Sequence, residues 1–382
     1  MSRGARRDVG RLCAIGALGC VLGVGCTAAP PGDGARQEQS SESARAGAGT
    51  PSAEPTATPT GARTVRIALV GDVHFEGVLA DRLADPATAL APVSGWLSAA
   101  DVSIANLETS VGTGGSPAPG KRYIFSAGPE AFTALAEAGV DVAVMANNHA
   151  LDMGRGRLPS TLRAARAAAE RRPALSVIGV GHDVDEAFRP ALTRVRETVV
   201  ATVAASVADQ DPTADPTRTW AAGPRRPGVA MALDPTRLLT AVERARETAH
   251  VVVVYLHWGV QGARCPSPDQ RRLARRLVAA GADVVAGSHA HLLQGDGRLG
   301  QGYVAYGLGN FAWYSPGPGA TSRSGVLTLT VRPRDGSRAR VVRARWRPAR
   351  IEAAGLPVAV TGGGRSAFAA ERAALRSCAG LT

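Results

Sequence analysis

Six short apolar runs in this chain each end on a turn carrying a carboxylate, an amide or an imidazole, and that repetition ties the fold to a site. Val70 is followed by GDVHF, Ala105 by NLE, Met145 by ANNHALD, Leu256 by HWG, Ala286 by GSHAH and Tyr306 by GLGNF. Between the runs lie Ala-, Leu- and Arg-rich stretches of helical period. Short apolar runs interleaved with helices read as an α/β sheet. In such sheets the loops leaving the strands gather at one edge, so segments distant in sequence meet there.

The pattern predicts strands at Val65 to Val70, Val102 to Ala105, Val140 to Met145, Ser176 to Val180, Thr198 to Ala204, His250 to Leu256, Asp283 to Ala286, Gly302 to Tyr306 and Val326 to Arg332. Helices are expected at Pro129 to Ala138, Arg155 to Glu170, Pro235 to Thr248 and Pro268 to Ala280. Residues 206–228 read as a Pro-rich surface excursion, and no internal repeat is present. The folded domain is expected over 64–320, with a C-terminal strand and helix in 321–382 completing it.

The first 26 residues have the order of an export signal: a basic start, an apolar stretch from Leu12 to Val24, then Gly25 and Cys26. The apolar part is too short to favour a lasting membrane span. Gly25–Cys26 is similar to the lipobox of bacterial lipoproteins, which makes Cys26 the candidate lipidation site and Cys20 its rival. Arg6 and Arg7 resemble a twin-arginine signal, though the residues after them fit that pattern poorly. Residues 27–63, dense in Pro, Ala, Thr, Ser and Gly, bury too little to offset ordering entropy and read as a disordered tether. The expectation is an exported protein, held at the outer face of the cytoplasmic membrane by a lipid anchor or secreted.

The formal charge is +12, of which residues 1–25 supply +3 through four Arg and one Asp, leaving +9. This charge is spread along the chain, and six Phe and five Tyr offer little base stacking, so no nucleic-acid partner is expected. Lys121 is the only lysine, which at this level reads as coding bias. Beyond the leader, Cys265 and Cys378 are free to pair outside the cytoplasm or to stay as two thiols.

Five of the seven histidines fall in the strand-end turns; only His182 and His250 lie elsewhere. Asp72 and His74 sit two apart in a turn, Glu108 adds a carboxylate able to bridge two ions, and Asn148, His257, His289 and His291 complete a mixed nitrogen and oxygen set. That set suits Mn, Zn or Fe more than Ca. Each residue has an ordinary alternative: Asp72, Glu108 and Asp152 as turn caps, Asn147 as scaffolding, Trp258 as packing, Asn310 and Phe311 as loop-shaping groups. GLG at 307–309 lacks the following helix and third Gly of a dinucleotide fingerprint, and no nucleophile elbow or P-loop is present.

GDVHF, NLE, ANNHALDMG, HWG, GSHAH and YGLGNF occur in the order and spacing of the CapA family, the poly-gamma-glutamate capsule synthesis proteins related to calcineurin-like metallophosphoesterases, which residues 65–315 resemble. The resemblance implies a four-layer αββα sandwich of two sheets flanked by helices, with a two-metal centre at the strand ends. It implies Asp72, His74 and His291 around one ion, Asn148, His257 and His289 around the other, and Glu108 between them. His149 would then stabilise or protonate the leaving oxygen, with Asp152 orienting its ring. Glu108 departs from the Asp of the wider superfamily, which bears on metal separation and phosphatase activity.

Two cations close together acidify a bridging water and neutralise charge on a phosphoryl or acyl centre, while a histidine supplies the leaving-group proton. The expected function is metal-dependent hydrolysis of a phosphoester or amide in capsule or envelope polymer synthesis. The expected partners are an anionic envelope polymer or phosphoester substrate, the membrane and other capsule-synthesis proteins. The alternatives are a non-catalytic surface factor that binds polyglutamate or export partners, and a general secreted phosphodiesterase.

Overall fold

A strand buried on both faces belongs in the middle of a layered sheet, and in Val65–Val73 every residue except Arg66 is buried. The computed structural model describes residues 64–208, 219–314, 319–334 and 337–382, so the leader, Cys26, the tether and part of the 206–228 excursion lie outside the described residues. In chain order the strands used below are β1 (Val65–Val73), β2 (Val102–Leu107), β3 (Val142–Val144), β4 (Ser176–Ile178), β5 (Ala191–Val195), β6 (Thr198–Ser206) and β7 (Val251–His257). They continue as β8 (Val284–Ser288), β9 (Asp296–Leu299), β10 (Gly302–Ala305), β11 (Asn310–Ala312), β12 (Arg323–Arg332), β13 (Arg340–Ile351) and β14 (Pro357–Ala359). The helices are α1 (Ala91–Leu97), α2 (Glu130–Glu137), α3 (Leu158–Glu170), α4 (Thr236–Thr248), α5 (Pro268–Ala280) and α6 (Gly363–Ala379).

One sheet runs β14-β13-β12-β1-β2-β3-β4, with β11 pairing alongside the end of β1, and the other runs β9-β10-β8-β7-β6-β5. β1 to β4 are mutually parallel, as are β6, β7, β8 and β10. The sheets face each other across one continuous apolar core. Tyr255 in β7 crosses it to donate to the Val70 carbonyl of β1 at 2.7 Å. α3 packs on β4, α4 on β6 and β7, and α5 on β8, completing a four-layer αββα sandwich.

Asp72 is expected in a loop but is a strand residue, because β1 continues past Val70 with Asp72 opposite Asn106 of β2 and Asn310 of β11. The added length is possible only because Gly71 has no side chain: a Cβ there would stand 1.8 Å from the Gly309 carbonyl oxygen. β7 and β8 likewise run one and two residues beyond the expected ends, so His257 and Ser288 close paired strands. The 321–382 segment supplies β12, β13, β14 and α6 in place of one strand and a helix. Cys265 and Cys378 form a disulfide with 5.8 Å between their Cα atoms, pinning the loop after β7 to the end of α6. Among the described residues no helix is long and apolar enough to cross a membrane.

Candidate metal centre

Parallel strands of two facing sheets deliver their ends to one place, and there the chain concentrates its buried polar groups. Asp72 comes from β1, Asn106 from β2, Glu108 from just beyond β2, and Asn147 to Asp152 from the turn after β3. His257 ends β7, His289 and His291 follow β8, and Asn310 opens β11. Asp72, Asn106, Glu108, His257 and Asn310 are fully buried.

Two groups of potential ligand atoms lie within 4.8 Å of one another: Glu108 with His257 and His289, and Asp72 with Glu108 and His291. Glu108 belongs to both. Asn148 joins the first group, its Oδ1 2.6 Å from His257 Nε2, and His289 Nδ1 stands 3.1 Å from the same nitrogen. Glu108 Oε1 is 3.3 Å from His257 Nε2. Neither oxygen of Glu108 nor Nε2 of His289 has a hydrogen-bond partner among the described residues. A buried carboxyl with no hydrogen-bond partner is costly, so a divalent cation suits this set.

His74 stands apart from both groups. Its Nδ1 accepts from the Glu76 amide at 3.0 Å and its Nε2 faces the Tyr314 amide at 3.3 Å. Its ring stacks on Phe125, with centroids 4.7 Å apart, and Phe125 stacks in turn on His149 at 4.1 Å. Trp313 packs its edge against His74 at 4.3 Å and lies 4.6 Å from His291. The resemblance implies His74 beside Asp72 as a ligand; here its ring is packed by Phe125 and Trp313, with the Glu76 and Tyr314 amides near its nitrogens, and Asp72 and His291 are among its charged neighbours.

The electrostatics follow from burial. Burial alone would raise Asp72, but its hydrogen bond with His291 and the nearby imidazoles hold it well below the usual carboxylate range. Burial and the neighbouring Asp72 charge push Glu108 well above that range. Burial lowers His149 and His289, and takes His257 down to about 3. His291 goes the other way, to about 9, because Glu108, Asp72 and Asn310 outweigh its burial. A cation held by His291 would have to displace its proton, so binding is expected to release protons and to tighten as pH rises toward 9.

His149 Nδ1 lies 2.5 Å from Asp152 Oδ2, and its Nε2 turns toward Glu108 Oε1 at 3.7 Å. Burial raises Asp152 to about 7 even though Lys121 Nζ stands 3.0 Å from its Oδ1. One proton shared between Nδ1 and Oδ2 therefore fixes the ring, while Nε2 points into the centre. Lys121, read from sequence as coding bias, has a buried side chain that also donates to the Asn148 carbonyl at 2.7 Å. Its ammonium lies 5.2 Å from the Trp220 ring centroid.

Asn147 is scaffolding: its Nδ2 donates to Asn106 Oδ1 and to the Leu107 carbonyl, and its Oδ1 accepts from the His149 amide. Trp258 packs and donates to the Tyr306 carbonyl. His182 pairs with Glu186 on the surface, and His250 accepts from the Val199 amide. Asn106 of NLE is not among the expected ligands; its Nδ2 donates to Asp72 Oδ1 at 2.8 Å and lies 3.2 Å from His257 Nδ1, linking the two groups. His289 and His291 have φ of +96° and +54°, strain of the kind retained where side chains must be aimed.

Asn310 Oδ1 lies 2.9 Å from His291 Nδ1, and its Nδ2 donates to the Thr321 carbonyl. Groups that orient a ligand histidine typically contribute 10–100-fold to metal affinity. Asn310→Ala is therefore expected to weaken binding of Mn or Zn about tenfold, read by isothermal titration calorimetry. An unchanged affinity would remove Asn310 from the centre.

Residues 66–315 match the family model described as bacterial capsule synthesis protein PGA_cap. The chain is 32% identical over 204 residues to the capsule biosynthesis protein CapA of Bacillus anthracis, covering 50% of this chain and 45% of that one. It is 30% identical over 169 residues to the PGA biosynthesis protein CapA of Bacillus subtilis, covering 44% and 41%. The aligned region thus spans about half the length of these relatives or less. Among solved structures it is similar to a novel phosphatase of Mycoplasma pneumoniae, with TM-score 0.45 and 11% identity over 75% of this chain and 93% of that one.

Proposed function

The chain belongs to the bacterial capsule synthesis protein PGA_cap family, and from that premise we propose that it is an exported, lipid-anchored hydrolase acting on a phosphoester or amide bond during synthesis of an anionic capsule or envelope polymer. The observation that carries the reading is Glu108, a fully buried carboxylate shared by two ligand groups with neither oxygen hydrogen-bonded. A carboxylate in that position suits a bridge between two divalent ions, with His257, His289 and Asn148 on one side and Asp72 and His291 on the other. The Cys265–Cys378 disulfide accords with an oxidising compartment, and Cys26 supplies the anchor.

Divalent ions held there would supply Lewis-acid neutralisation of charge on the reacting phosphoryl or acyl group. The residues around them do the rest. His149 Nε2 holds or gives up a proton at the leaving oxygen, Asp152 fixes the ring through Nδ1, and Lys121 fixes Asp152. The stack of His74, Phe125 and His149 shields that edge from water.

Metal analysis of the full chain, followed by hydrolysis assays on an aryl phosphodiester and on poly-γ-glutamate with and without chelator, tests the proposal. Two ions per chain and chelator-sensitive turnover of either substrate are expected. A chain that carries no transition metal and gains no turnover on adding Mn, Zn or Fe would overturn the enzymatic reading and leave a polymer-binding factor.

A further inference from the structure

β13 places Arg343, Arg345 and Arg347 at alternate positions, so all three project from one face of the first sheet. Across the register they stand beside Thr330, Thr328 and Val326 of β12, and Thr330 pairs in turn with Arg66 of β1. The three arginines of β13 are exposed. Together with Arg365 they line a groove of about 460 Å³ with no carboxylate in its walls among the described residues. At its margin Asp101 pairs with Arg66, and Trp96 of α1 forms an aromatic wall under the Arg347 guanidinium, 5.3 Å from the ring centroid.

β14 pairs only with Ala349 to Ile351 of β13, and the stretch it leaves open needs only a charge or two to block pairing with another sheet. A file of cations held side by side repels itself, and a polyanion that neutralises it is the complementary occupant. The repeat is informative as well. Alternate residues of a strand recur about every 6.7 Å. A γ-linked glutamate adds two carbon–carbon bonds to the 3.8 Å step of an ordinary peptide, so its free carboxylates recur at about 6 Å in an extended chain.

We propose that this groove is a second, non-catalytic subsite that binds an extended polycarboxylate of the γ-linked polyglutamate kind, each guanidinium taking one carboxylate. The proposal rests on the capsule-polymer reading above. Arg66 precedes Asp72 by six positions on β1, about 20 Å along the strand, whereas Arg347 stands across from Val326, level with Val70, so the groove runs along the first sheet toward the end that carries the metal centre. A chain gripped there keeps a long substrate on the protein between encounters with the centre.

The test is fluorescence anisotropy of labelled poly-γ-glutamate with the full chain. Replacing Arg343→Gln, Arg345→Gln and Arg347→Gln together is expected to weaken binding about tenfold or more. Arg163→Gln, Arg171→Gln and Arg194→Gln together remove the same charge from other exposed sites and are expected to change binding less than twofold, with thermal scans showing both variants folded. Equal weakening by the two triple variants, or wild-type binding by the β13 variant, would overturn the proposal. Binding is repeated in a His149→Ala background and aryl phosphodiester hydrolysis in the β13 variant. Loss of catalysis then leaves the groove result standing, and loss of the groove leaves hydrolysis standing.

Discussion

Glu108→Gln is expected to leave the metal-free protein at least as stable as wild type at pH 7 and to abolish most of the stabilisation that Mn or Zn confers. Burial and the Asp72 charge raise the Glu108 carboxyl well above its unfolded value of 4.5. The unfolded chain therefore releases this proton first, and the native state loses stability as pH rises from 4.5 toward the raised value. Glutamine matches the protonated side chain and never carries the charge, so the metal-free fold gives up nothing at neutral pH. With metal the sign reverses. A ligand at 100 to 1,000 times its Kd stabilises by about 2.7–4.1 kcal/mol, which in a domain of this size moves Tm by on the order of 5–10 °C. Thermal scans with chelator and with added metal read both halves. A glutamine variant that responds to metal as wild type does would remove Glu108 from the ligand set, and one that unfolds early in chelator would make its charge structural.

The strands around this centre were legible because a parallel strand buried on both faces is an uninterrupted apolar run, and a run that stops abruptly on Asp, Asn or His marks its own end. The exact ends were less visible. Asp72 lies inside β1 because Asn106 and Asn310 pair on either side of it, and neither partner is near it in sequence. β13 escaped because its arginines recur on the exposed face and make a twelve-residue strand look like a solvated segment. β9 and β11 are three or four residues long and exist through their neighbours. The same division holds within the site. Asp72, Glu108, Asn148, His149, Asp152, His257, His289 and His291 were visible as polar breaks after apolar runs, and the structure brings them together. The place of His74 is decided by Phe125, Trp313 and Tyr314, which reach it from two other segments. Lys121 left a trace, one lysine among 44 basic residues, but no periodicity that would link it to Asp152.

His149→Ala is expected to lower kcat on a phosphodiester with an alkyl leaving group by about 10²–10⁴-fold, the usual contribution of a positioned proton donor, while metal content stays at the wild-type level. The geometry makes that separation possible. Nε2 of His149 is 3.7 Å from Glu108 Oε1, close enough to act at a bond broken beside the ligand groups. Its other nitrogen is committed to Asp152, which holds the ring without touching His257, His289 or His291. Asp152→Asn keeps the shape of that support but changes the shared proton, so it is expected to lower kcat less than His149→Ala and to shift the pH profile, since Asp152 titrates near 7. A leaving group that needs no protonation supplies the internal check. With a nitrophenolate departing, the loss in His149→Ala is expected to shrink relative to an alkyl leaving group, because the alkoxide depends on the proton and the phenolate does not. Equal losses for both leaving groups would count against proton donation, and a parallel fall in bound metal would make His149 a ligand.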